Sequence, residues 1–207
     1  MAAIIFDFDG TIADSFDVIV EIFEHLTSRS EKLSERQLTE LRGYPVAVVA
    51  KRLNVSWWRA PWLLLRGRHL MGQRIHDIPV FAGMPKVIEQ LHAEGHEVFI
   101  LSSNSTRNVK KFMKQHHLYK YFVEIQGSHG LSGKARLLRR MVERNNLEIK
   151  DCVYVGDETR DVIASQAVGM RVIAVSWGFA QREFLESLHP TAMADKPQDI
   201  ITILEDL

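Results

Sequence analysis

Five short, largely apolar runs constrain this chain most: Ala2 to Phe6, Val98 to Leu101, Tyr121 to Ile125, Cys152 to Val155 and Val172 to Val175. Each is too short for a helix and carries β-branched or aromatic residues, so each reads as a buried strand. Helical spacing fills the gaps between them. Pro85 opens a helix with Val87, Ile88 and Leu91, and Gly95 closes it. Val109, Phe112 and Met113 mark another; Leu137, Leu138, Met141 and Val142 a third; Gly169 stops a short one. Ile200, Ile203, Leu204 and Leu207 finish on an amphipathic helix. Apolar strands alternating with helices predict an α/β fold, a Rossmann-like parallel sheet with helices on both faces.

The stretch after the first strand breaks that alternation. Behind Asp14-Ser15, either a good N-cap, Ile19, Ile22, Phe23 and Leu26 repeat at helical spacing, and Val46, Val49, Ala50 and Leu53 do so again. Trp57, Trp58, Trp62 and Leu63 to Leu65 add a broad apolar face, and almost no strand signal lies between Phe16 and His76. Residues 15–78 therefore read as a small helical insertion, and residues 1–14 with 79–207 as the α/β core.

The 26 basic and 26 acidic residues cancel, so no global field favours nucleic acid or a membrane surface. The single Cys152 excludes an intrachain disulfide and sits in an apolar run, which suits core packing better than nucleophilic chemistry. No signal peptide and no span long enough for a bilayer are evident, so the expectation is a cytoplasmic protein.

In an open parallel sheet, ligands bind beyond the carboxyl ends of the strands, near the point where strand order reverses. Three polar tips should meet there: Asp7-Phe8-Asp9-Gly10-Thr11, Ser102-Ser103-Asn104, and Gly156-Asp157-Glu158-Thr159-Arg160-Asp161. If the first strand runs on, Asp7 and Asp9 point to one face. Two crowded carboxylates repel unless a cation or a proton separates them, and a hard divalent ion with oxygen ligands is the natural solution. An Asp-x-Asp alone is a weak signal; its position decides.

These tips, in this order, resemble the haloacid dehalogenase superfamily, and within it the phosphatases related to phosphoglycolate phosphatase. Phe81-Ala82-Gly83-Met84-Pro85 and Val175-Ser176-Trp177-Gly178-Phe179 are similar to that subgroup as well. The resemblance spans the chain and implies a haloacid dehalogenase-like core with a helical cap, acting on a small phosphorylated metabolite with Mg²⁺. It implies that Asp7 is the nucleophile that forms an aspartyl-phosphate, and that Asp9 is the general acid and base. Asp7, the Asp9 backbone carbonyl and Asp157 would hold the metal, with Asp161 in the metal site as an outer or water-mediated partner. Ser102 would bind a phosphate oxygen, with Ser103 close behind it, and Asn104 is balanced between turn and ligand contact. Lys134 would offset phosphate and nucleophile together, although relatives often follow this lysine with proline and here Ala135 follows. Glu158 departs from the small hydroxyl residue common at its position. Within the insertion, Arg42 beside Gly43 is the expected contact for an anionic substrate, and the tryptophans read as cap core.

A phosphomonoesterase is the leading expectation. A phosphosugar mutase or pyrophosphatase could use the same core, and a phosphate-binding pseudoenzyme is the non-catalytic alternative. A dehalogenase is disfavoured because that branch typically lacks the second acid, Asp9.

Overall fold

A computed structural model describes residues 1–27, 33–34, 37–38, 52, 60–127 and 133–207. Its strands are β1 (Ala3–Phe6), β2 (Glu97–Ser102), β3 (Phe122–Gly127), β4 (Cys152–Gly156), β5 (Arg171–Val175) and β6 (Ala192–Ala194). They form one sheet in the order β3-β2-β1-β4-β5-β6, and every pairing is parallel. The chain enters at β1 in the middle, builds outward through β2 to β3, then crosses back to lay β4 against the other side of β1. The order therefore reverses at β1, and the carboxyl end of β1 is the switch point.

Both faces of the sheet are covered, which explains why its strands are apolar without alternation. Ile4, Phe6, Val98, Ile100, Val153, Val155, Ile173 and Val175 face one apolar cluster. The residues between them, among them Ala3, Ile5, Phe99, Leu101, Cys152 and Tyr154, face a second. The first is roofed by α1 (Phe16–Thr27), α2 (Ala60–Arg74), α3 (Met84–Ala93), α4 (Thr106–Gln115) and, near the chain end, α8 (Asp199–Glu205). The second is closed by α5 (Lys134–Arg144), α6 (Thr159–Gln166) and α7 (Arg182–Glu186).

Local signals act where the sequence places them. Pro85 lies in the first turn of α3, and Gly95 follows its end at φ +84°, a left-handed conformation that glycine adopts without a Cβ penalty. Ser105 caps α4 by accepting the Asn108 N–H, and His116 terminates that helix.

Several expectations shift. The first strand stops at Phe6, so Asp7 and Asp9 are not strand neighbours; Asp9 forms an isolated bridge to Ala13. On α1, Val18 joins the expected stripe: Val18 and Ile22 are buried, and Ile19 and Leu26 pack half-covered against the same cluster. Tyr121 belongs to a tight turn before β3. Ile201 is buried on α8, whereas Leu207 lies beyond the helix and is exposed. Strand β6 and helix α7 carry too few apolar residues to be seen in the sequence.

Of the 15–78 insertion, α1 and α2 pack against each other, and Val18, Ile22 and Met71 join the same cluster as Phe8, Ile75 and Phe112. Trp62 is 47% exposed with Arg66 over its ring, so it is not core. Arg42, Gly43, Trp57 and Trp58 lie outside the described residues. Among the described residues no helix is long and apolar enough to cross a membrane.

Candidate active site

The residues after β1 fold back as a compact loop. The Phe8 carbonyl accepts the N–H groups of Ile12 and Ala13, and Asp7 extends the sheet by one bond, its N–H donating to Val155 at 2.8 Å. Gly10 sits at φ +80°, and a Cβ there would lie 2.1 Å from Asp157 Oδ2. Loop and carboxylate are pressed together, which only glycine permits. From the other side Gly178 does the same, its absent Cβ 2.2 Å from that of Asp157. The Trp177 indole donates to the Thr11 carbonyl at 3.1 Å, tying the loop after β5 to the loop after β1.

Each acid is held differently. Asp7 Oδ1 accepts the Phe8 N–H at 2.8 Å and Oδ2 accepts from Lys134 Nζ at 2.9 Å. Asp157 accepts from Thr11 Oγ1 and from the Phe179 N–H, each at 2.8 Å. Asp161 pairs with Lys134 and accepts the Glu158 N–H at 3.1 Å. Lys134 opens α5 and bridges Asp7 to Asp161, its ammonium 5.0 Å from the Tyr154 ring centroid. Asp9 turns its carboxylate elsewhere, accepting from Ser15 Oγ at 2.9 Å and Asn104 Nδ2 at 3.1 Å.

The tip of β2 completes the arrangement. Ser102 is buried at the strand end, and its Oγ accepts the Asn104 N–H at 2.9 Å. Asn104 serves both as turn and as partner of Asp9, and its Oδ1 is fixed by the Ser105 N–H and Asn108. Ser103 is half-buried; its carbonyl accepts from Arg68 of α2 at 2.8 Å and its Oγ from Arg160 at 3.3 Å. The structure thus brings together Asp7, Asp9, Ser102, Ser103, Asn104, Lys134, Asp157 and Asp161. Arg42 falls outside the described residues.

Burial dominates the electrostatics. Desolvation, then the Asp7 charge, pushes the Asp9 carboxyl up to about 6, against hydrogen bonds from Ser15 and Asn104. Desolvation and the neighbouring Glu158 and Asp161 charges drive Asp157 well above the usual carboxylate range. Asp161 is raised by burial as well, with Lys134 opposing. Lys134 remains cationic: burial disfavours its charge, but Asp161 and Asp7 outweigh it. Oxygen atoms of Asp7, Asp157 and Asp161 lie within 4.8 Å of one another, and all three residues are buried. An all-oxygen donor set whose members repel one another suits a hard divalent cation. Asp9 lies outside that trio.

Sequence reasoning overlooked Thr11 and Arg160 as partners of the site, treated Ser15 only as a cap, and did not single out Asn108, which bridges Asn104 to the Arg68 carbonyl at 2.9 Å. Their roles are contacts between segments far apart in the chain, and no local signal marks them.

The arrangement has counterparts. Residues 4–175 match the model of the haloacid dehalogenase-like hydrolases. A phosphoglycolate phosphatase of Synechococcus elongatus is 33% identical over 209 residues, covering 100% of this chain and 99% of its own. Pyrophosphatase PpaX of Bacillus cereus is 22% identical over 211 residues, covering 99% and 96%. Among solved structures, one described as a predicted phosphatase from Clostridium acetobutylicum superposes with a TM-score of 0.88 at 22% identity, over 100% of this chain and 99% of that one. With its three strand tips joined around the Asp7, Asp157 and Asp161 carboxylates, the chain belongs to the haloacid dehalogenase-like hydrolase family.

Proposed function

We propose that the protein is a Mg²⁺-dependent phosphatase that hydrolyses a small phosphate monoester through a phosphorylated Asp7. The carrying observation is the unequal treatment of two neighbouring acids. Asp7 is held beside a cation, Lys134, whereas Asp9 makes no ion pair among the described residues and has its carboxyl pushed up to about 6. A carboxylate held beside a lysine can attack phosphorus, and a carboxyl near neutrality can give and take a proton.

In this reading Asp7 attacks the phosphorus while Asp9 protonates the departing ester oxygen. Asp9 then takes a proton from the water that cleaves the aspartyl-phosphate, returning both acids to their starting states. Ser15 and Asn104 keep the Asp9 carboxylate aimed, and Ser102 and Lys134 hold phosphate oxygens. Asp7, Asp157 and Asp161, with the Asp9 carbonyl, would hold Mg²⁺, which when bound supplies positive charge against the phosphoryl oxygens. Residues 15–78 act as a cap over this site, with Arg42 contacting the anionic substrate; α1 and α2 supply its base.

Similarity to the Synechococcus elongatus enzyme makes phosphoglycolate the first candidate substrate. Similarity to pyrophosphatase PpaX supports a second reading, in which pyrophosphate is cleaved at the same nucleophile. Phosphate release from a panel holding both compounds and several sugar phosphates, with Mg²⁺ and with chelator, separates them. Metal-dependent turnover abolished by Asp7→Asn is expected. No release from any member by the unsubstituted protein would refute the phosphatase reading.

A further inference from the structure

Arg160, the second residue of α6, takes no part in the chemistry above, yet it is a cation on the open side of the site. Its Nη2 donates to Ser103 Oγ at 3.3 Å and pairs with the Glu158 carboxylate. Its Nε is shielded from solvent and has no hydrogen-bond partner among the described residues. The side chain as a whole is 41% exposed, against 11% for Lys134 and 13% for Glu158. A guanidinium carries five N–H donors, and only Nη2 is committed among the described residues.

We propose that Arg160 is a specificity-determining residue that binds the second anionic group of a two-anion substrate, a carboxylate or a second phosphoryl group. This rests on the phosphatase reading of the same site. The reacting phosphoryl group lies against Asp7, and the second group meets the guanidinium beyond Ser103.

The crowding of acids around the site favours such a residue. Asp7, Asp9, Asp157, Glu158 and Asp161 are five carboxyl groups, and among the described residues Lys134 pairs with Asp7 and Asp161 and Arg160 with Glu158. A single divalent ion offsets two charges, so a substrate bearing an anion beyond its phosphate enters against repulsion unless a cation receives it. Lys134 is not placed to do so: in a nearly closed position it is shared between Asp7, Asp161 and, in the proposed reaction, the reacting phosphoryl group. Arg160 can: its planar fork suits carboxylate and phosphate oxygens, and uncommitted donors let it accept a ligand while Glu158 holds it in place. The tie to Ser103 anchors the guanidinium to the loop that carries Ser102, the expected phosphate contact.

The test separates binding from turnover. Asp7→Asn protein in saturating Mg²⁺ is titrated calorimetrically with 2-phosphoglycolate and with ethyl phosphate, which lacks the second anion. Adding Arg160→Gln is expected to lower the affinity ratio of the two ligands about tenfold to a hundredfold, the range for a hydrogen bond to a charged group. Arg160→Lys, which keeps the charge but not the fork, should lose less. With Asp7 intact, the same loss should appear in KM more than in kcat. An unchanged ratio, equal losses for both ligands, no binding of either 2-phosphoglycolate or pyrophosphate, titrated as the two-phosphoryl probe, or a ratio that follows Arg68→Gln instead would each overturn the proposal. A protein that binds selectively through Arg160 but releases no phosphate from any ester would refute the phosphatase reading and leave Arg160 standing.

Discussion

Replacing Lys134 with methionine keeps most of the side-chain volume and removes the charge that separates two buried acids. Lys134 Nζ lies 2.9 Å from Asp7 Oδ2 and also pairs with Asp161, and the acid side chains are 3% and 0% exposed. Deleting one partner of a buried ion pair leaves an uncompensated charge, at a cost of about 3–5 kcal/mol. In a domain of this size each kcal/mol moves Tm by about 2–4 °C, so metal-free Lys134→Met should melt about 6–20 °C below the unsubstituted protein at pH 7.5. The sign of its pH dependence follows from Asp161. Burial already raises that carboxyl and Lys134 opposes the rise, so losing the lysine raises it further. A carboxyl raised on folding contributes stability below its unfolded pKa and loses it as pH climbs through the folded value. The deficit should therefore shrink when the melts are repeated at pH 5, where the acid takes up a proton. Adding Mg²⁺ at pH 7.5 should restore more stability to Lys134→Met than to the parent, because the ion replaces the missing charge. Thermal melts at two pH values, with and without Mg²⁺, read all three effects. A Tm within about 2 °C of the parent at pH 7.5, or a deficit equal at both pH values, would refute the electrostatic role of Lys134.

Two other outcomes follow from single contacts. Thr11→Val is nearly isosteric and removes the 2.8 Å hydrogen bond to Asp157 Oδ1 in a fully buried position, so Mg²⁺ affinity measured by calorimetry should fall about 10–100-fold; an unchanged Kd would show that Thr11 does not orient the acid. Burial, then the Asp151 charge, pushes the Cys152 thiol up to about 11, so an alkylating reagent at pH 8 should leave the folded protein unlabelled and modify one thiol after denaturation; rapid native labelling would contradict its place in the core.

Much of the fold was legible because its strands are buried on both faces. Ile4 and Ile5 turn to opposite clusters, yet both must be apolar, so β1 reads as a continuous run. The same is true of β2, β4 and β5. Strand β6 escaped because Ala192–Ala194 is three residues long, and its identity as a strand depends on pairing with β5. On α1 the expected Ile19, Ile22 and Leu26 do reach the core, and Val18 joins them because the tertiary packing covers a wider face than the spacing marked.

The site divides in the same way. The sequence by itself determined which acids lie at the strand tips, since Asp7 and Asp157 follow recognisable apolar runs and a parallel sheet gathers its carboxyl ends. It also marked Ser102 and Asn104 by their place at a strand tip, whereas Lys134 was picked out by the family resemblance. Only the tertiary structure decided how the acids differ: Asp9 turns to Ser15 and Asn104, Asp157 to Thr11 and the Phe179 amide, and Asp7 with Asp161 to one lysine. It alone placed Arg160 against Ser103. Strand patterns are local and survive in the one-dimensional chain. Burial and hydrogen bonding between residues up to 146 positions apart do not, and these give Asp9, Asp157 and Asp161 their separate surroundings.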